Sequence, residues 1–401
     1  MDSSDMNPGE RRAIMALASI FSLRMLGLFM ILPVFALYAN KLTGVTPTLV
    51  GVAIGAYGLT QAILQIPFGM LSDRWGRKRI IALGLLIFAA GSVMAALSTS
   101  IWGVIWGRAL QGAGAISGPV MALAADLTRE TQRTKAMAII GMSIGVSFAV
   151  AIVAAPTMDH WIGVSGIFWL IGGLAIAGIA VLRFSVPTPD ASEEHRDVAA
   201  VPDQIKKVYR NLALRRLDFG ILSLHAILTA NWVVMPLILA DYLPPQHHWW
   251  VYLPVLIFSG AAMVPFILMV DQPGRLKPIF LGAIILLGSA EALFIPGHVN
   301  IWAMGGILFV FFTALNLLEA ILPSLMSKLA PPEAKGTAMG IYSTSQFLGA
   351  FIGGSLGGWI HGYFGISGVF MMGTTFAVLW GLITIGLQDL RSIKDTITRS
   401  N

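Results

Sequence analysis

Twelve apolar stretches, each long enough to cross a lipid bilayer, fill most of this 401-residue chain. A spanning helix needs ~20 apolar residues, and it satisfies all its backbone N–H and C=O groups internally where no water can reach them. We read spans near 13–39, 49–71, 80–98, 101–124, 136–157, 165–186, 218–240, 250–270, 278–296, 300–327, 335–357 and 366–387. Only 11% of the residues are charged, against about a quarter in soluble domains. So few charges cannot build a polar shell, so lipid is the solvent for most of the surface. The 43 glycines fit close backbone approach between membrane helices. A membrane β-barrel is excluded, because its strands are short and alternate apolar with polar residues. The expected fold is therefore an all-α membrane protein. Residues 11–23 pass for a signal peptide, but no small-residue cleavage site follows and Arg24 interrupts the run. An uncleaved first span is expected.

The net charge of +6 invites a nucleic-acid partner, and its distribution argues against one. With the N-terminus placed in the cytoplasm, 23 of the 26 Lys and Arg fall at cytoplasmic ends and loops. Only Lys41 falls on the far side, while Arg24 and Arg108 lie inside helices. This is a positive-inside pattern. Both termini are expected in the cytoplasm, and the basic charge serves topology and contact with membrane lipids. Cysteine is absent, which removes disulfides, thiol catalysis and cysteine-based metal sites.

The longest polar interruption, 187–217, divides the chain into six spans and six spans. It carries Pro187, Pro189 and Pro202 and then a basic segment. Within that segment Ile205, Val208, Tyr209 and Leu212 share one helical face beside Lys206, Lys207 and Arg210, which suits a helix lying on the membrane surface. A solvated linker is the plainer alternative. The organisation is then a bundle over 1–186, a linker over 187–217, a second bundle over 218–387 and a short tail over 388–401. The halves look related. Asp73, Gly76 and Arg77 recur 198 residues later as Asp271, Gly274 and Arg275, and Ala136-Met137 recurs 202 later as Ala338-Met339. An internal repeat in a polytopic membrane protein points to a secondary transporter whose halves rock about a central site.

Residues Gly69-Met70-Leu71-Ser72-Asp73-Arg74-Trp75-Gly76-Arg77-Lys78-Arg79 resemble the signature between helices 2 and 3 of the major facilitator superfamily. Arg108-Ala109-Leu110-Gln111-Gly112 is similar to that family's helix 4 motif. Gly141, Gly145 and Pro156 resemble its helix 5 antiporter motif only in part: Ala155 stands where the pattern wants Gly, and no Gly pair follows Pro156. The resemblance covers essentially the whole chain. It is strongest to the YajR-type bacterial inner-membrane transporters, through Gly9-Glu10-Arg11-Arg12, the run from Phe21 to Gly27 and the run from Tyr342 to Gly349. That group carries a further small cytoplasmic domain after helix 12; here only the short polar stretch 388–401 follows. The resemblance implies two pseudo-symmetric six-helix bundles, a bacterial inner-membrane location and proton-driven export of drug-like molecules. It also implies that helices 1, 4, 7 and 10 line the cavity.

A carboxylate can accept from the free N–H groups at a helix N-terminus, where the dipole is positive. The resemblance makes that helix the eleventh, starting near Gly336, so Asp73 is expected to latch the halves on the inner side and favour the outward-open state. Gly69 and Gly76 are expected to permit close backbone approach, and Arg77 to pair with Asp126 in the family's charge relay. The plainer alternative is that the basic cluster only enforces topology. The second copy has lost most of that cluster, so the latch is expected to be asymmetric.

Buried ionisable groups are costly in a membrane and usually mark a pathway. Arg24, Arg108, His225 and Glu319 fall on helices 1, 4, 7 and 10, with Asn316 three residues before Glu319 on its face. Glu319 with His225 is the candidate proton site, since buried acids and histidines exchange protons near neutral pH. A structural ion pair is the alternative. Arg108 and Arg24 are candidates for tuning a neighbouring acid or for attracting an anionic substrate; a hydrogen-bonding hub between helices 1 and 4 is the structural alternative for Arg108. Phe35, Tyr38, Trp232, Phe312 and Asn316, with the two arginines, are candidates for the substrate cavity, because aromatic side chains suit amphipathic ligands. Glu291, near the outer end of a peripheral helix, is expected to be interfacial or structural. Trp102 and Trp302 open helices at the outer interface and look like anchors.

Gly112-Ala113-Gly114 begins like a dinucleotide loop but follows no strand. His247-His248 has no placed carboxylate to complete a metal site. No phosphate-binding loop supports direct use of ATP. The expected function is a monomeric proton-coupled exporter of amphipathic small molecules, with no enzyme activity, cofactor or metal. Its rivals are a symporter of an organic anion or nutrient, and a non-transporting sensor or scaffold.

Overall fold

The computed structural model describes residues 6–188, 202–270, 272, 274–296, 300–331 and 334–386. Thirteen α-helices organise them: α1 (Pro8–Phe29), α2 (Leu32–Tyr38), α3 (Pro47–Trp75), α4 (Arg77–Leu97), α5 (Ile101–Ala113), α6 (Ser117–Asp126), α7 (Arg133–Ser185), α8 (Pro202–Arg210), α9 (Leu212–Ala240), α10 (Trp249–Val270), α11 (Leu276–Phe294), α12 (Ile301–Leu329) and α13 (Lys335–Ile385). Strand-like pairing is limited, among the described residues, to one isolated bridge between Thr43 and Ser100.

By length and hydropathy nine helical segments among the described residues can cross a bilayer. Two of them, α7 with 53 residues and α13 with 51, are about twice as long as a bilayer requires at ~1.5 Å per residue. Each is turned at one glycine in the left-handed region, Gly163 (φ 67°) and Gly365 (φ 69°), and so carries two spans. A further span is assembled from two pieces too short to cross alone, α5 and α6. These complete the twelve. Two spans expected as single helices are therefore broken. Span 1 divides into α1 and α2 just before Pro33, whose ring nitrogen has no hydrogen to donate. Span 4 divides at Gly114–Ile116.

The repeat read in the sequence extends to backbone conformation. Gly76 (φ 92°) and Gly274 (φ 74°) take the same left-handed turn in the two halves, as do Gly163 and Gly365. Lys78 Nζ donates to the carbonyl of Val186 at the end of span 6 (2.7 Å), and Lys277 Nζ donates to Ile385 at the end of span 12 (3.0 Å). Each lysine thus caps a helix C-terminus whose last carbonyls have no partner in the helix. Asp271 and Pro273 lie outside the described residues, as do 189–201 of the linker and the tail. In the linker helix α8, Val208 is buried and Ile205 packs on the core, whereas Tyr209 and Leu212 stay exposed.

The tightest join between the halves is made by glycine rather than by bulk. A Cβ on Gly51 of α3 would lie 2.0 Å from the carbonyl oxygen of Gly354 in α13, and one on Gly358 2.5 Å from that of Pro47. Gly55 and Gly58 continue the seam against Phe351 and Phe347. Inside the second half, Gly349 and Gly353 press on Leu222 and Ala226 of α9 in the same way. Lipid tails are as apolar as leucine, so such contacts gain from dispersion and close approach, not from expulsion of water. The α3–α13 seam lies toward the face opposite the basic loops, here termed the far face. Toward the basic face it ends at Gln65, whose side-chain amide donates to Thr344 Oγ1 (2.7 Å) and to the Gly340 carbonyl (3.2 Å).

Candidate functional site

Break and charge meet in the first half. Opening the helix at Gly114 frees its carbonyl, and Arg24 Nη2 of α1 donates to it at 3.1 Å while also donating to Gln61 Oε1 of α3 at 2.6 Å. Arg24 Nη1 reaches Ser117 Oγ at 3.4 Å. Arg108 of α5 donates to Gln111 Oε1 (2.9 Å), and Gln111 passes a hydrogen bond to Ser92 (2.8 Å). The Tyr57 ring lies between the two cations, with Arg24 5.6 Å and Arg108 5.3 Å from its centroid. Each arginine is 1% exposed. Carbonyl oxygens and π faces, not a carboxylate, take up these charges among the described residues. Both arginines sit inside the first bundle rather than on an open cavity wall.

The second half places a titratable pair at the symmetry-related position. His225 stands 201 residues after Arg24, and Glu319 stands 202 after Ser117. His225 Nε2 of α9 lies 3.3 Å from Glu319 Oε1 of α12, and 2.8 Å from Gln346 Nε2 of α13. The histidine side chain is 14% exposed and the glutamate 35%. The four ionisable residues expected to converge thus form two clusters, a fixed cationic one in the first half and a protonatable one in the second. Asn316 turns from Glu319 to donate to Ser259 of α10 (3.3 Å).

At the basic face Arg77 Nε donates to Asp126 Oδ2 at 2.9 Å, and the same guanidinium holds Asp73 and Ser72 Oγ. The Asp73 carboxylate is engaged by Arg77 one turn along, not by the first turn of α13. Gly69 and Gly76 do not serve close approach here: nothing stands within 4 Å of a Cβ built on either. The inner ends of α3 and α13 are not clasped, and Gly76 serves instead by adopting a φ of 92°, which ends α3 and starts α4.

The aromatic candidates divide. Trp232 and Phe312 converge on Phe148 of α7, at centroid distances of 6.4 and 6.2 Å. Phe148 also packs edge-on to Phe29 (5.1 Å). This cluster bridges the halves at mid-span. Phe35 is buried against Tyr38, away from it. Tyr38 donates to or accepts from Ser165 and lines a far-face cavity of about 350 Å³ with Lys41, Asp159, His160 and Gln246. Glu291 is not interfacial: it is fully buried, accepts from Asn231 Nδ2 (2.6 Å), and fits only because Gly373 has no Cβ. His248 is buried and bonded to the Leu243 carbonyl (3.1 Å), while His247 stacks on Trp250.

The sequence had not singled out Gln61, Gln65 or Phe148. The two glutamines carried a readable signal, polar amides inside an apolar span. Phe148 carried none among so many apolar neighbours.

The Major Facilitator Superfamily profile matches residues 17–352 and 217–395. The chain is 49% identical to the inner membrane transport protein YajR of Escherichia coli (strain K12) over 390 residues, covering 97% of this chain and 86% of that protein. It is 36% identical to an uncharacterized transporter of Buchnera aphidicola subsp. Schizaphis graminum, covering 95% of this chain and 98% of the other. Among solved structures, a bacterial homologue of the human lysosomal transporter Spinster, in an inward-facing and unoccupied conformation, superposes with a TM-score of 0.76 at 14% identity, covering 95% of this chain and 97% of that one. The human organic anion transporter MFSD10 superposes with a TM-score of 0.70 at 17% identity, covering 94% and 100%. With matched profile, relatives and fold in agreement, the chain belongs to the Major Facilitator Superfamily and is a membrane transporter, not an enzyme.

Proposed function

We propose that the protein is a proton-coupled exporter of amphipathic small molecules, working by alternating access in a bacterial inner membrane with both termini in the cytoplasm. The observation that carries this is the His225–Glu319 pair at 3.3 Å, held by Gln346 between three helices of the second half. Protonating Glu319 cancels its negative charge beside His225, at a point where α9, α12 and α13 meet. A ligand shifts a conformational equilibrium only by its differential affinity for the two states, and a proton that cancels a charge at such a junction has that property. In the mid-span aromatic cluster the half-buried Phe29 and Phe148 offer apolar surface to the cargo, with Trp232 and Phe312 packed behind them. The positive-inside charge and the 49% identical inner-membrane relative support the location.

In this proposal Asp73 works in the opposite state. When the basic face closes, its carboxylate leaves Arg77 for the N-terminus of α13, while the Arg77–Asp126 bond keeps α4 attached to α6. Symport of an organic anion or nutrient drawing on Arg24 and Arg108 has less support, because both guanidinium groups are enclosed within one bundle. The deciding experiment is proton flux in proteoliposomes with Glu319→Gln, which keeps the shape and removes the titration. Loss of proton-coupled transport with unchanged folding is expected. Wild-type coupling in that variant excludes the proposal.

A further inference from the structure

We propose that Glu291 is a carboxylic acid that keeps its proton, joined to Asn231 by two hydrogen bonds running in opposite directions. Glu291 lies in α11 and Asn231 in α9, so the pair ties two helices of the second half. One of the bonds is direct: Asn231 Nδ2 donates to Glu291 Oε1 at 2.6 Å. The two remaining oxygens of the pair, Asn231 Oδ1 and Glu291 Oε2, are both sealed from solvent and both without a partner. An ionised carboxylate only accepts, and so does an amide oxygen. With Glu291 ionised, both oxygens stay unmet. A proton on Oε2 turns that atom into a donor, and the acceptor it needs belongs to the amide that Oε1 already holds. Acid and amide then close a ring of two bonds, and both exceptions disappear together. Buried polar groups are almost always bonded, so the form that meets both is favoured. Turning the amide over does not avoid the proton, because its oxygen would then face Oε1 and require one there.

The surroundings favour the same form. Glu291 is fully buried, and a Cβ on Gly373 of α13 would stand 2.1 Å from Oε2, so the backbone of that helix lies against the carboxyl. Among the described residues no cation and no second acid faces it; its polar neighbour is the neutral Asn231. A bare charge in such a site costs far more than a bonded neutral acid. Glu319 is the opposite case, partly exposed and beside His225. The fold itself does not call for an acid here: the matching stretch of the first half, residues 89–93 of α4, holds no ionisable residue. Asn231 directly precedes Trp232, which packs on Phe148 of the first half. Glu291 is therefore a positioning residue, fixing the turn of α9 that presents Trp232 to the aromatic cluster.

Infrared spectroscopy of the purified protein in lipid nanodiscs tests this without any cargo, and the outcome does not depend on the role of Glu319. At neutral pH the wild type is expected to show a protonated-carboxyl band that Glu291→Gln removes and Glu319→Gln leaves in place. Asn231→Leu is expected to move that band to higher wavenumber, because the carbonyl loses its donor. Glu291→Gln should unfold near the wild-type temperature, since its amide closes the same two bonds, whereas Glu291→Leu should unfold several degrees lower. The fluorescence contributed by Trp232, taken as the difference from Trp232→Phe, should shift in a Glu291→Leu background and not in Glu291→Gln. A neutral-pH spectrum unchanged by Glu291→Gln overturns the proposal, because the group is then ionised. A band that Asn231→Leu leaves unmoved overturns the two-way bond; should that variant fail to fold, the Glu291→Gln spectrum and unfolding temperature decide. Trp232 fluorescence unmoved by Glu291→Leu removes the positioning role.

Discussion

At the scale of single residues, the two halves treat charge differently. Arg24 is a permanent cation clamped by Gln61 and by the carbonyl that the broken fourth span exposes at Gly114. Replacing it by methionine keeps the bulk, leaves the Gly114 carbonyl without a donor, and leaves Gln61 Oε1 with only the longer bond from the Tyr57 hydroxyl (3.4 Å). The cost is expected to be about 1–3 kcal/mol, the usual penalty for an unmet buried polar group. A lowered thermal unfolding temperature in detergent, with substrate binding retained by the folded fraction, checks this. The His225–Glu319 pair, by contrast, is expected to govern coupling rather than folding, so Glu319→Gln should unfold near the wild-type temperature. Part of this was legible in the sequence: an ionisable residue in an apolar span is conspicuous, and all four were found. His225 and Glu319 were matched with each other, but the partners of the two arginines were not, because hydrogen bonds such as Arg24 to Gly114 depend on a helix break that no residue type announces.

At the scale of elements, twelve spans were readable because hydrophobic length is set by the bilayer, not by tertiary detail. The division of spans 1 and 4 was less readable; Pro33 marks the first break, while Gly114–Ile116 needs the neighbouring arginine to be tolerable. The role given to Gly69 and Gly76 was displaced to other glycines of α3, since the close contact with α13 lies toward the far face. The seam makes a specific prediction. In Gly354→Val the first added carbon lies 2.5 Å from the Gly51 carbonyl oxygen, too near for any adjustment of a side chain to relieve. The far-face clasp is expected to weaken by about 1–3 kcal/mol, as for other overpacked contacts. Spin labels on cysteines placed at the far-face ends of α3 and α13 measure it as a shift to longer distances. The natural chain has no cysteine, so such labels carry no background.

At the scale of the whole molecule, the proposal sets two gates against each other. The far-face seam is made in this structure, and the Asp73 latch is not. Asp73→Asn gives up the Arg77 pairing in this state, where Asp126 and Ser72 still hold that guanidinium, and gives up the whole latch in the other, so it should disfavour the other state more. A carboxylate at a helix N-terminus contributes about 1 kcal/mol, roughly fivefold in population. Distance measurements across the basic face are expected to show that shift toward separation; an unchanged distribution contradicts the latch. In the proposal the Arg77–Asp126 bond is kept in both states, so breaking it should lower stability without favouring either.

The single-glycine turns at Gly163 and Gly365 leave the far side of the membrane almost bare of polypeptide between spans 5 and 6 and between spans 11 and 12. Whatever approaches from that side, whether a digestive enzyme or an antibody, finds little chain there to grip.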